Sequence, residues 1–223
     1  TSVWPGVFFP TSQLLEKGMD IALIYLENGI DLTRSAIANW DNIPASDRLE
    51  IGALLYTSGY GLYDEGYSEC TSYCLTDGDE SYSQRRAWSN ILDRNVKDLK
   101  SSEPYTYDDI WLGGFVVYDF DSPSGNHNSL AQGRSSTPQQ GNYAYVGEGS
   151  SSATPLNMEG TSVAGDSGGP TFALLDGEWT VIGLTSHGSL TANYGDVSVN
   201  IRVSSHSLWT VSYTHLRAHE TLI

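Results

Sequence analysis

The apolar positions of this chain gather in short runs, and the first of them predicts a strand. Residues 14 to 27 contain Ile21-Ala22-Leu23-Ile24, apolar and mostly branched with no polar break, the pattern of a buried strand. Asp20 stands at its mouth. A carboxylate there is either a turn residue or an orienting partner for a basic group, because burying it without hydrogen bonds costs free energy. Residues 31 to 48 carry turn formers, Asn39-Trp40-Asp41-Asn42-Ile43-Pro44 among them, and read as a connector. Arg48 to Gly61 predicts a strand running into a Gly59-Tyr60-Gly61 corner. The acidic stretch 64 to 82 predicts a surface loop. Between Ser83 and Leu99 the pattern is two-sided: Trp88, Ile91, Leu92, Val96 and Leu99 are spaced for one face of a helix.

Further along, Trp111 to Phe120 predicts another strand. The following Asp119-Phe120-Asp121-Ser122-Pro123-Ser124-Gly125-Asn126-His127-Asn128 offers acid and amide oxygens without the spacing of an EF-hand loop, and is expected as a solvated loop. Trp179 to Gly188 alternates into a strand that ends at Ser186-His187-Gly188.

The candidate chemistry lies in Gly165-Asp166-Ser167-Gly168-Gly169-Pro170. Four of these six residues are Gly or Pro, so the backbone turns tightly and can approach another group closely. A hydroxyl stands at the apex, and backbone N–H groups of Gly165, Asp166 and Ser167 can form a donor set for an oxygen that becomes negative during acyl transfer. The hexapeptide resembles, residue for residue, the nucleophile motif of the trypsin/chymotrypsin-like serine proteases. Met19-Asp20-Ile21-Ala22-Leu23-Ile24 resembles a second signature of that family, in the correct order, where the Asp holds the catalytic His.

The resemblance, closest to secreted bacterial members and spanning about residues 14 to 209, implies an all-β fold: a chymotrypsin-like double β-barrel. Residues 1–30 would be a remnant of a first barrel that is largely missing, 31–48 the connector and 49–210 the second barrel, with a short, truncated C-terminal helix starting at Leu208-Trp209. It makes Arg85 to Leu92 a strand, with a helical turn after it, and 197 to 204 the last barrel strand. Residues 211–223 resemble the conceptual translation of a sequencing adapter, which sets aside His215 and His219 as a non-native tail.

Function follows as an expectation. The resemblance implies a serine endopeptidase with Ser167 as nucleophile and Asp20 as the acid of the triad. Ser186, His187 and Gly188 would form the wall along the substrate, and Thr161, Ser162 and Ser198 the substrate pocket. Trypsins carry an Asp at the place of Thr161, so the uncharged floor implies uncharged side chains before the cut bond. The family's His lies upstream of the Asp, yet residues 1 to 19 hold none, and the five His of the chain all lie downstream. The expectation is a chain truncated at both ends and inactive as written. Asp166 also has a family role, pairing with the amine released by zymogen cleavage. The alternative is a non-catalytic, protease-like binding domain.

Composition narrows the partners. A net charge of −16 over 223 residues disfavours nucleic-acid phosphates and anionic lipid. A content of 23 Gly, 14 Tyr and 6 Trp suits a turn-rich, β-leaning protein. No apolar run reaches membrane-spanning length, and no signal peptide opens the chain, although the resemblance implies secretion. Cys70 and Cys74 are expected to form a local loop disulfide in an oxidising compartment; a metal site would need ligands that no nearby His supplies. No cofactor and no metal are expected, the partner is a protein or peptide substrate, and the full-length protein is expected to be a monomer.

Overall fold

A computed structural model describes residues 18–24, 37–38, 50–63, 84–96, 114–132, 151–188, 192–207 and 210. Cys70, Cys74, Leu208, Trp209, His215, His219 and residues 211–223 lie outside them, as does most of the connector. The described fold is all-β. Its strands are β1 (Ile37–Ala38), β2 (Leu54–Gly59), β3 (Arg86–Ile91), β4 (Arg94–Val96), β5 (Phe115–Asp119), β6 (Pro170–Leu175), β7 (Glu178–His187) and β8 (Val197–Arg202). Short 3-10 turns follow at Leu130–Gln132 and Val203–His206.

The strands form one curled antiparallel half-barrel in the order β3-β2-β6-β7-β8-β5-β4, and β1 adds in parallel to β7. The two ends of that order are consecutive in sequence. Between β3 and β4 the chain bends, so that the Leu92 N–H donates to Ala53 O beside β2 and the Asp93 N–H donates to Val117 O on β5. The β6–β7 hairpin turns on Asp176-Gly177, both with positive φ (49° and 86°), the Asp-Gly pairing that a two-residue primed turn requires.

Strand β5 is buried on both faces, which accounts for its unbroken apolar sequence. Phe115 and Val117 pack with Val96, Leu130, Val197, Val199 and Ile201. Val116 and Tyr118 face the opposite way, onto Leu55, Leu92, Ala173 and Ile182. Strand β8 places its apolar residues in the first of these clusters and points Ser198 and Asn200 the other way. There Asn200 Oδ1 accepts hydrogen bonds from Thr171 Oγ1 and Thr185 Oγ1, each 3.2 Å long. These bonds cross-link β6, β7 and β8 through buried atoms, beneath the turn that carries Ser167.

The strand that the resemblance implies at Arg85 to Leu92 is present: β3 pairs with β2 over six residues, and this non-local ladder overrides the local helical spacing. The short strand β4, and not a helical turn, follows it. Two further expectations are corrected. The loop after β5 is solvated only in its later part: Pro123, Ser124 and Asn126 are exposed, but Asp119 is fully buried and Asp121 is 4% exposed. Nor do residues 18–24 form the buried strand expected of 14 to 27. They carry no strand, and Ile24 is 83% exposed, because no described strand lies alongside to cover it. No helix among the described residues is long and apolar enough to cross a membrane.

Candidate functional site

The turn that carries Ser167 leads directly into β6. Gly165 and Gly168 have φ of 97° and 80°, conformations that a side chain would strain, and Ser167 is exposed between them. Hydrogen bonds hold the turn from both sides. The Gly169 N–H donates to Asp166 O (2.9 Å), the Gly168 N–H donates to Thr185 O (2.7 Å), and the Thr185 N–H donates back to Gly169 O (2.8 Å). Of the three residues expected to supply oxyanion donors, Asp166 commits its amide to Val163 O at 3.1 Å. The amides of Gly165 and Ser167 have no acceptor among the described residues.

Asp166 is buried, and its carboxyl organises the same turn from inside. Oδ1 accepts the Gly61 N–H at 2.8 Å and Oδ2 accepts the Val163 N–H at 3.0 Å. Burial raises its pKa above the usual carboxylate value, opposed by those two amides and by the charge of Arg86. The Gly59-Tyr60-Gly61 corner legible in the sequence therefore receives the side chain of the residue before the nucleophile.

Asp20 reaches this region from the other end of the chain. Ser186 Oγ donates to Asp20 Oδ2 at 2.8 Å, and His187 Nδ1 lies 2.9 Å from the same Ser186 Oγ. The segment around Asp20 is docked by two more contacts: His206 Nε2 donates to Gly18 O at 2.8 Å, and Ile21 packs against the Phe115 cluster. The His187 ring is set edge-on to Phe115, with centroids 5.8 Å apart. Burial pushes the His187 pKa below its ordinary value, and the Asp20 charge pulls against it.

The residues expected to line a substrate pocket also meet. Ser198 Oγ lies 2.8 Å from Thr161 Oγ1 and 2.9 Å from Ser162 Oγ, and it accepts the Ser162 N–H at 2.8 Å. Gly188 runs so close to this group that a Cβ there would stand 2.7 Å from Ser162 Oγ. No carboxylate joins the hydroxyl set through a hydrogen bond among the described residues.

Sequence reasoning missed a buried acidic set behind this surface. The Ser151 hydroxyl donates to Asp119 Oδ1 at 3.2 Å, and the Ser152 N–H donates to Asp93 Oδ1 at 2.7 Å. Glu159 accepts the Asp121 and Leu156 N–H groups. Burial, then the neighbouring negative charges, push Asp121 up to about 8, and Asp93 is raised for the same reasons. A cavity of about 340 Å³ opens between Asp121, Glu159, Trp88, Tyr194 and Asp166. The sequence signal was present but misread: an acid-rich loop directly after an apolar strand can fold back and be buried. Among the described residues no group of three or more His, Cys, Asp or Glu is arranged to hold a metal ion.

His187 and His206 are each hydrogen-bonded away from the nucleophile, and the His127 ring lies 6.0 Å from that of Tyr194. None of these three donates to or accepts from Ser167 among the described residues. Set against protein-family models and curated proteins, the chain matches none.

Proposed function

We propose that this chain is the nucleophile-bearing part of a secreted serine endopeptidase of the trypsin/chymotrypsin-like kind. Residues 49–210 would be its second β-barrel and residues 1–30 what it retains of the first. The observation that carries this reading is the Ser186–Asp20 hydrogen bond. It joins two residues 166 apart in sequence, and it does so one residue beyond Thr185, which holds the Ser167 turn. An ordinary Gly-rich turn has no need of a distant carboxylate beside it.

In the proposed reaction Ser167 Oγ attacks the carbonyl carbon of the scissile bond. The Gly165 and Ser167 amides donate to the oxygen that becomes negative, and Asp20 orients and stabilises the imidazole that takes the serine proton and later gives it to the leaving amine. The substrate backbone runs along Ser186 to Gly188, and the side chain before the cut bond meets Thr161, Ser162 and Ser198. Those hydroxyls cannot neutralise a buried cation, so Arg and Lys are disfavoured there.

The test is covalent labelling with a fluorophosphonate probe. A longer form that supplies a His upstream of Asp20 should label at Ser167. Ser167→Ala should abolish labelling, while the 223-residue chain alone should not label. Labelling that survives Ser167→Ala would overturn the assignment of the nucleophile. Among the described residues no imidazole is bonded to Ser167, which favours a second reading, a protease-like domain that binds peptides without cleaving them. Peptide binding by the longer protein, with no labelling, would select it.

A further inference from the structure

The bond between Ser186 and His187 violates the ordinary geometry of a strand. Neighbouring side chains in a β-strand point to opposite faces, so residues i and i+1 do not normally meet. Here the pairing of β7 with β8 slips: Thr185 is opposite Asn200, His187 is opposite Val199, and Ser186 is the extra residue of a bulge. A bulge re-aims a side chain. This one turns Ser186 Oγ to within 2.9 Å of His187 Nδ1 and 2.8 Å of Asp20 Oδ2.

The donors in this chain of three groups can be assigned by counting hydrogens. Serine has one hydroxyl hydrogen, and an ionised carboxylate can only accept. The Ser186 hydrogen therefore goes to Asp20, and Ser186 Oγ must accept from the imidazole. That requires the hydrogen of neutral His187 to sit on Nδ1, the tautomer that free histidine in water disfavours. Burial lowers the His187 pKa, which keeps the ring neutral near pH 7, so a single tautomer is chosen. The ring cannot swing away freely, because it is set edge-on to the fully buried Phe115.

We propose that His187 is a positioning residue for Asp20: its Nδ1–H, donated to Ser186 Oγ, commits the Ser186 hydroxyl to Asp20 Oδ2 and so fixes the direction of the carboxylate beside the Ser167 turn. This rests on the reading of Asp20 as the triad acid, and it gives His187 a task distinct from lining a substrate pocket. The carboxylate is then oriented through a strand of the half-barrel, in addition to the docking of its own segment at Gly18 and Ile21. A hydrogen bond that polarises the next one strengthens it, so removing the imidazole donor loosens the serine as well.

The experiment is nitrogen and carbon NMR of the histidine rings in the 223-residue chain at a pH above their titration. His187 should be the Nδ1–H tautomer. His206 is an internal control, because its Nε2 faces the Gly18 carbonyl, which can only accept, and it should be Nε2–H in every variant that keeps the fold. In Asp20→Ala the Ser186 hydroxyl is released to donate to Nδ1, so His187 should switch to Nε2–H. In Asp20→Asn, whose Oδ1 still accepts, the wild-type tautomer should persist. The positioning role is read from the Hα–Hβ couplings of Ser186: one rotamer in the wild type, averaged couplings in His187→Phe, and one rotamer again in His187→Asn, whose amide restores a donor near the place of Nδ1. An Nε2–H tautomer in the wild type, or a single Ser186 rotamer in His187→Phe, overturns the proposal. None of these readouts needs turnover, so their failure leaves Ser167 labelling unaffected, and failed labelling leaves the tautomer result intact.

Discussion

Gly59 and Asp166 are in contact through a space that only a hydrogen can occupy: a methyl group on Gly59 would overlap the Asp166 carboxyl. Because that carboxyl holds the Gly61 and Val163 amides at 2.8 and 3.0 Å, Gly59→Ala should displace it and leave both buried donors unmet. At roughly 1.5 kcal/mol per bond the loss is about 3 kcal/mol. Urea unfolding should show it as a lower midpoint. A loss under about 0.5 kcal/mol would mean that the corner does not support the turn.

Ser198 offers a test of the hydroxyl set. Its oxygen is the acceptor for the Ser162 N–H and is fully buried. Ser198→Ala strands that amide where water does not reach, at a cost of about 2 kcal/mol. Ser162→Ala removes a hydroxyl but keeps the amide paired and should cost less. Thermal melts of the two variants give the order; equal losses would mean that Ser198 is not acting as the acceptor.

Where the sequence was legible, one local force dominated. The strand expected over Trp111 to Phe120 could be read from its apolar run, and β5 (Phe115–Asp119) lies within it. β3 was obscured by a helical period, and only the resemblance made Arg85 to Leu92 a strand, because its ladder to β2 is a non-local pairing that local spacing does not record. The acids of 119 to 121 were misjudged as solvated since their partners, Ser151 on Asp119 and Glu159 at the Asp121 amide, come from more than 30 residues away. Ser167 and Asp20 could be named from motifs. The bulge that turns Ser186 toward Asp20 leaves no mark on composition or period.

His206 should make the docking of Gly18 acid-sensitive. Its pKa is lowered below the ordinary 6.5 by burial, although its bond to Gly18 pulls the other way. The unfolded chain therefore takes up the proton first, and the stabilisation present above pH 6.5 is lost as pH falls through the folded value. Hydrogen exchange at residues 18–21 should quicken on acidification. In His206→Gln, which keeps a donor but does not titrate, the acceleration should shrink; an unchanged acid response would exclude His206 as its source.

The buried carboxyls impose the opposite slope on the alkaline side. Asp121 is raised from 3.8 to about 8, and Asp93, Asp119 and Glu159 are raised as well, burial being the first cause in each. A carboxyl whose folded pKa lies above its unfolded one keeps its proton when folded and loses it when unfolded. Its stabilisation is complete below the unfolded value and disappears as pH rises through the folded one. Above pH 6.5 the depressed imidazoles of His187 and His206 are mostly neutral in both states, so the slope from there to pH 8 belongs chiefly to the acids. Asp121, whose folded value is about 8, contributes up to about 1.4 kcal/mol per pH unit over that interval. Urea unfolding at pH 6.5 and 8 should show stability falling across that interval. Asp121→Asn, which presents a neutral side chain of the same shape at every pH, should be more stable than the wild type at pH 8 and should flatten the fall. Stability that rises from pH 6.5 to 8, or an Asp121→Asn protein with an unchanged slope, would mean that Asp121 is ionised in the folded state.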